Sequence, residues 1–429
     1  MLRFFSIYGF FVLASSFGLL VLSGNQGATW WTERPYFQQI PQVGPSVILK
    51  KLNPDVAAPK TFYRHNVQRT GFFDLEISTS LKLRKLNDAT NISVHQASKS
   101  SPLVLDDQVV IATDAGLLRS VDLQGNVKWN LRNFTSAYGF HGTPAAWGDL
   151  IIAGDYSGLM LGLDKNNGQL SWILQLGDTF GASPLITDDG YVLISVETNA
   201  PNGFIAKIEA NTGKVIWRSA WLGDHSHSSP SLSAKEYQGT KIIVVGDNAG
   251  YVNGIRETDG KTAWRLYIGK PMKSTASIHN EIAYLSTWDS HVYALDVATG
   301  TVLWRKEIQI PNQSSIAITP DGKYGFINSS RGLCRFTLSP QQDLVCEEKE
   351  YTRGARKASP IITKDKGRKN KFLVWTGCDD TRLCVFDSET FKRIKTWDLP
   401  GRLSGEVVPH EGKVYLIPER GGTFVLESP

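Results

Sequence analysis

The side chains best suited to chemistry in this sequence are imidazoles and cations rather than nucleophiles. Asp224-His225-Ser226-His227 sets two histidines two positions apart, a spacing that can hold a metal ion from one edge. A site needs a third ligand, and no other cluster lies nearby in sequence, so no metal is expected. A second set emerges when eight small-residue tripeptides are aligned: Ser100-Ser101-Pro102, Gly142-Thr143-Pro144, Ala182-Ser183-Pro184, Ser228-Ser229-Pro230, Ser274-Thr275-Ala276, Ser314-Ser315-Ile316, Ala358-Ser359-Pro360 and Ser404-Gly405-Glu406. Immediately before them stand Lys99, His141, Gly181, His227, Lys273, Gln313, Lys357 and Leu403, with Arg402 one place earlier. That set attracts anions; it does not break bonds. The chain has no G-x-S-x-G, no phosphate loop and no H-E-x-x-H. No catalytic residue or cofactor is assigned, and an enzyme is the less favoured class.

A repeat positions these residues. Residues 295–304, LDVATGTVLW, read as a strand, a Thr-Gly turn and a second strand ending in Trp304. Copies end at Trp129, Trp172, Trp217 and Trp264, with a degraded copy, FDSETFKRIKTW, at Trp397. The steps from Trp129 to Trp304 are 43, 45, 47 and 40 residues. A period in the forties made only of strands predicts a β-propeller. Every unit but the eighth carries four short runs, so the expected fold is all-β, eight blades of four antiparallel strands. Blade three is expected to replace its second turn with a longer loop at 197–203. In such a ring the residues before the tripeptides enter the innermost strands and face the mouth of the central channel. Lys99, His141, His227, Lys273, Gln313, Lys357 and Arg402 are then a candidate site for an acidic loop or carboxylate, the cations concentrating field in a concave mouth. Crowded cations would keep His141 and His227 neutral until an anion binds. The plainer alternative is solvated loop charge with no ligand. Each Trp has a structural reading, packed between neighbouring blades and burying about 150–250 Å², or roughly 4–6 kcal/mol as an upper bound.

The eighth unit has only three strand-like runs, which would leave an open edge. Residues 81–86 (LKLRKL) alternate apolar and basic and are expected to supply the missing strand, closing the ring. Upstream, residues 4–23 form a charge-free apolar stretch of about 20 residues, long enough at roughly 1.5 Å per residue to span a bilayer core of about 30 Å. Arg3 precedes it, so the body of the chain should be translocated. Residues 1–28 are thus a signal peptide or a signal anchor, 29–60 a Pro-rich tether and 61–429 the propeller. Export permits disulfides, and Cys334 with Cys346, and Cys378 with Cys384, flank short turns that place each pair across neighbouring strands. Buried free thiols are the alternative. A formal charge of +5, from 46 Lys+Arg against 41 Asp+Glu, is too mild to make nucleic acid the main partner.

The D-x-x-T-G-x-x-x-W pattern resembles the tryptophan-docking repeat of the pyrroloquinoline-quinone (PQQ)-like propellers, a group that includes quinoprotein alcohol dehydrogenases and the outer-membrane assembly lipoprotein BamB. The resemblance spans about residues 61–429 and implies the fold more strongly than the function. Two departures qualify it. No adjacent Cys-Cys pair is present, where the dehydrogenases carry a vicinal disulfide over the cofactor. Leu22-Ser23-Gly24 is followed by Asn25, not the lipidated Cys of the BamB type. The expectation is a non-enzymatic, periplasmic or otherwise extracytoplasmic platform, monomeric or part of a hetero-complex. It would be anchored in the cytoplasmic membrane by residues 4–23 and bind other envelope proteins during their assembly. The alternative is a quinoprotein-like oxidoreductase or a small anionic-ligand sensor using the central channel.

Overall fold

Glycine-containing turns keep the strands short, and runs such as Ile242–Gly246 and Leu150–Gly154 are apolar throughout because they have neighbours on both faces. Outer strands alternate instead, as Thr262–Tyr267 does. A computed structural model describes residues 46–49, 60–90, 100–132, 139–199, 202–308, 313–338, 343–349 and 357–429. The apolar segment 4–23, most of the 29–60 segment and Lys99 lie outside these residues. Eight antiparallel sheets follow one another: blade 1 (residues 103–132), 2 (145–175), 3 (185–218), 4 (231–267), 5 (277–307), 6 (317–346), 7 (361–398) and 8 (408–427). The strand Lys82–Asn87 lies antiparallel to Thr423–Glu427 as the fourth member of blade 8. Blade 2 gains Val47–Ile48 on its outer edge and Lys60–Thr61 on its inner edge. In blade 3 the expected loop is instead ladder: Tyr191–Thr198 pairs with Asn202–Glu209 through Glu197↔Gly203 and Thr198↔Asn202. The β-branched Val196 and Thr198 favour that continuation.

The repeat motif recognises its own next copy. The rings of Trp129, Trp172, Trp217 and Trp264 lie on the turn glycines of the following blade, Gly168, Gly213, Gly260 and Gly300, where a Cβ would come within 2.4–2.7 Å of the ring. Those glycines also hold φ near +70°, so they serve the turn and the contact together. Each indole N–H donates to a carbonyl of that blade, at Lys165, Ala210, Glu257 and Val297, over 2.7–3.0 Å. Trp397 donates to the Leu81 carbonyl at 3.1 Å and stacks on Trp375. Trp304 has no such acceptor among the described residues and packs against Tyr284 and Phe336. Blade 6 ends in Leu344–Cys346, without a Trp, and there Cys346 is bonded to Cys334 directly across the ladder. Cys378 is bonded to Cys384 in blade 7.

Around the channel the tripeptides form a belt. The second-position amides of Ser101, Thr143, Ser183, Thr275 and Ser315 donate to the hydroxyls of Thr143, Ser183, Ser229, Ser315 and Ser359, each in the following blade, over 2.9–3.0 Å. The Glu406 amide donates to Ser101 Oγ at 3.1 Å, so Glu406, not Gly405, holds the second position in blade 8. Gly405 accordingly packs on the Ser100 carbonyl as Gly142 packs on that of Ala182. The eighth tripeptide is therefore shifted by one residue from the sequence alignment, and Ser404, not Leu403, precedes it.

The channel itself is filled by the chain. From blade 2 the segment after Thr61 crosses the ring, its Val67, Gln68, Thr70 and Gly71 carbonyls accepting from the amides of Leu232, Ile278, Ile318 and Ile362 over 2.8–3.0 Å. Phe72–Ile77 then runs parallel to the inner strand Ile361–Asp365 of blade 7. Two fully buried arginines hang from this crossing. Arg64 donates to Arg69 O (2.8 Å), Ile316 O (2.6 Å), Pro360 O (3.4 Å) and Glu406 Oε2 (3.2 Å), while Glu406 Oε1 accepts the Arg64 amide. Arg69 donates to the carbonyls of Pro230, Ser183, Pro184 and Tyr63. Gly71, at φ 68°, lets Arg64 pass, since a Cβ there would meet the guanidinium at 2.2 Å. Burial pushes Glu406 up to about 7, against the pull of Arg64 and Arg69, and pushes Arg69 down to about 9.

Glu406→Ala should lower the unfolding free energy by about 3–5 kcal/mol, because it leaves Arg64 buried without a counter-charge; denaturant titration measures it. A carboxyl whose pKa is raised on folding contributes most below its unfolded value, here 4.5, and loses that contribution as pH rises to about 7. Wild type should thus lose stability relative to Glu406→Gln across that window, and a pH-independent difference would contradict this. Deleting residues 61–90 removes both the channel filling and the fourth strand of blade 8, so cooperative melting should disappear; an unchanged melting curve would refute that dependence.

Candidate functional site

Chain direction puts the tripeptide entries and the turns between second and third strands at one end of the ring. At this end the cations meet acids from those turns. His141, 3% exposed, has Nδ1 3.2 Å from Asp114 Oδ1 and its ring edge-on to Tyr156. The His227 ring lies 6.2 Å from that of His141, and its Nδ1 is 3.1 Å from Glu197 Oε1. His225 donates from Nε2 to the Thr198 carbonyl at 2.7 Å, with Nδ1 3.7 Å from Glu197 Oε2. The extended hairpin of blade 3 is what delivers Glu197 to this spot. Lys273 lies over the Trp288 ring at 4.8 Å; burial lowers its pKa, while Glu197 and Asp224 pull it up. Arg402 donates to Glu419 at 2.9 Å, and Gln313 and Lys357 are half-buried.

The structure thus brings His141, His227 and Lys273 into one sector with Asp114 and Glu197, and sets Arg402 apart with Glu419. A crowd of like charges is not what results, because Asp114, Glu197 and Glu419 stand beside His141, His227 and Arg402, and Glu197 and Asp224 act on Lys273. Sequence spacing gave no warning of this. Asp114 and Glu197 lie tens of residues from the histidines they meet, and Glu197 fell in a stretch read as loop. The His-x-His pair does meet one acid. Even so, among the described residues the only His, Cys, Asp or Glu trio close enough to share an ion is Cys378, Asp379 and Cys384, whose thiols are joined to each other.

The opposite end holds a cleft of about 700 Å³ between blades 8, 1 and 2, roofed by the crossing segment at Phe62, Tyr63 and Phe73. Its floor is the inner strand Leu103–Leu105 with Val408 and Pro409, and Asp74, Asp106, Asp107 and Asp149 stand among its lining residues. Asp149 is paired with Lys165 at 2.9 Å, Asp107 with Lys128 at 2.7 Å, and Asp74 with Lys364. Among the described residues Asp106, 95% exposed at its side chain, has only His410 Nε2 at 3.9 Å. The cleft and the Arg64, Arg69 and Glu406 set beside it are not among the sites expected from the sequence. The available signal was the pair of arginines in TFYRHNVQRTGFF, an aromatic-rich stretch that no repeat unit claims.

Known proteins share both the repeat and the ring. The sequence model of the family described as outer membrane protein assembly factor BamB matches residues 90–196 and 201–332. The outer membrane protein assembly factor BamB of Moranella endobia is 22% identical over 320 residues, 67% of this chain and 76% of that protein. The crystal structure of BamB from Moraxella catarrhalis superposes with a TM-score of 0.58 at 16% identity, covering 81% of this chain and 98% of that one. Quinohemoprotein alcohol dehydrogenase from Comamonas testosteroni gives 0.65 at 12% identity, covering 87% and 80%. At these identities the solved structures speak for the fold, while the family model spans more than half of the chain. With Trp-to-glycine docking between blades and eight four-stranded sheets in sequence order, the chain belongs to the BamB family of PQQ-like β-propellers.

Proposed function

We propose that this chain is a non-enzymatic, extracytoplasmic binding platform used in the assembly of envelope proteins. The observation that carries this reading is the filled channel. Arg64 and Arg69, with Phe62 and Tyr63, occupy the space in which a channel ligand would sit, so binding falls to the ends and edges of the ring. BamB relatives carry the name of an outer-membrane assembly factor, which supports the same role here. The chain works in a hetero-complex and is held to the cytoplasmic membrane by residues 4–23, with the propeller on the outer side.

The mouth residues Lys99, His141, His227, Lys273, Gln313, Lys357 and Arg402 form one docking face of this platform. Because Asp114, Glu197 and Glu419 interleave with them, the face suits a partner loop carrying both signs, with net acidity favoured at Lys99, Lys273 and Lys357. Charges at such a rim act mainly on association rate and on salt dependence. Crosslinking capture from native membranes by the full-length chain should return envelope proteins. The triple variant Lys99→Gln, Lys273→Gln, Lys357→Gln should capture fewer of them, with a flatter salt dependence. Return of no envelope protein would overturn the platform; equal capture by the variant would retire the mouth.

The dehydrogenase-like fold raises the oxidoreductase reading, which the filled channel and the lack of adjacent cysteines disfavour. Incubation with PQQ and Ca²⁺ followed by gel filtration should leave no cofactor absorbance with the protein. Retained absorbance with dye reduction would reverse the assignment.

A further inference from the structure

The crossing segment treats the inner edges of the blades unequally. On blade 2 it adds the strand Lys60–Thr61, and on blade 7 the strand Phe72–Ile77. Between these, the inward amides of Leu232, Ile278, Ile318 and Ile362 on blades 4 to 7 each find one of its carbonyls. It places no strand on blades 8 and 1, and that gap is the 700 Å³ cleft.

The two edges in the gap differ in one atom. Ile278 stands opposite Ala283, between the ladder pairs Ser277↔Tyr284 and His279↔Ile282, and its amide points into the channel. Val104 stands in the same place in blade 1, opposite Val109 between Leu103↔Val110 and Leu105↔Gln108. Its N–H and C=O therefore turn toward the cleft, where no described residue pairs with them. In blade 8 the equivalent place, opposite Val414 between Val408↔Tyr415 and His410↔Lys413, is Pro409, which has no N–H. Proline is the usual way to blunt an edge against strand addition. One edge of the gap is closed by its residue type, and the other is left able to pair.

We propose that an extended peptide segment of a partner protein adds as a strand to Leu103–Leu105 at Val104, in the gap between the chain's own added strands. An apolar side chain of that segment enters the cleft against Phe62, Phe73 and Leu105, and a Lys or Arg beside it meets Asp106. The backbone pairing supplies affinity and the pocket supplies choice of side chain, the usual division in strand addition. Among the described residues Asp106 is the one carboxylate of the cleft's lining with neither a lysine nor an arginine partner, so it is where a basic residue gains most. This inference rests on the platform reading and names one of its docking sites and the chemistry that site takes.

Random heptapeptides displayed on phage and panned on the full-length chain provide the probe, with the enriched sequences resynthesised and measured by fluorescence anisotropy. Enriched peptides should alternate apolar residues and carry Lys or Arg. Val104→Pro, whose ring the fold already accepts at Pro409, should weaken them about tenfold, the loss of one backbone hydrogen bond, and Asp106→Lys should do so comparably. Should Val104→Pro not fold, Asp106→Lys together with slowed exchange of the Val104 amide on peptide binding decides the matter. Peptides indifferent to both positions, no enrichment, or displacement of every peptide by a synthetic copy of residues 31–59 of this chain would each overturn the inference. Membrane capture that succeeds while no peptide depends on Val104 sinks the cleft alone; peptide binding that holds while capture returns no envelope protein sinks the assembly role instead.

Discussion

Two guanidiniums and one carboxylate share the centre of this ring, and they stay there only because carbonyls from four blades and from the crossing segment accept from them. Taking charge out of water is costly unless each polar hydrogen is met. Arg64 and Arg69 reach the carbonyls of Ser183, Pro184, Pro230, Ile316 and Pro360, positions that recur because the tripeptide recurs. The repeat thus makes a circle of acceptors at the channel wall, and the non-repeating segment brings the donors. Glu406 enters the same circle by taking a place that other blades give to Ser or Thr. One substitution in the belt supplies the counter-charge, and the hydrogen bond to Ser101 is kept through the backbone.

At the rim of the blades a second self-referential contact operates. Each docking Trp needs a glycine turn ahead of it, so the chain of contacts breaks where a turn or a Trp is missing. Blade 6 lacks the Trp, and its outer strand is cross-linked by Cys334–Cys346; blade 7, whose Trp docks on Leu81 rather than on a glycine turn, carries Cys378–Cys384. Covalent bonds therefore stand in two of the blades where the repeated noncovalent contact is absent or altered, whereas in blade 5 Trp304 packs on Tyr284 and Phe336 instead.

How much of this was legible follows from distance along the chain. The Thr-Gly turns and terminal Trps are local patterns, so blade number, strand order and both cysteine pairings could be read from spacing. The small tripeptides were visible, but their hydroxyl belt was not, since each bond joins residues about 40 or more apart. The alignment slipped by one residue in blade 8 because Ser404-Gly405 looks more like its counterparts than Gly405-Glu406 does; the contacts of Glu406 with Ser101 and of Gly405 with Ser100 reveal the register. The mouth residues are a proposal from position in the repeat, and their acidic neighbours were missed, because no periodicity links Asp114 to His141 or Glu197 to His227. The inner-edge gap depends on where a non-repeating segment chooses to pair, which no repeat analysis contains.

The crossing segment and the blade 8 strand that follows it have partners far away in sequence: Arg64 meets Glu406, Arg84 meets Glu427, and Trp397 meets Leu81, separations of 342, 343 and 316 residues. During synthesis, or passage through a membrane amino end first, it is the earliest part of the propeller to appear and the last to be satisfied. Until blades 7 and 8 exist, Phe72 and Phe73 have no complete wall to lie against. Such long-range pairing slows folding. The nascent chain is thereby committed to a long interval with an aromatic, doubly cationic ribbon uncovered, and the ring can be completed only after its final strand has left the ribosome.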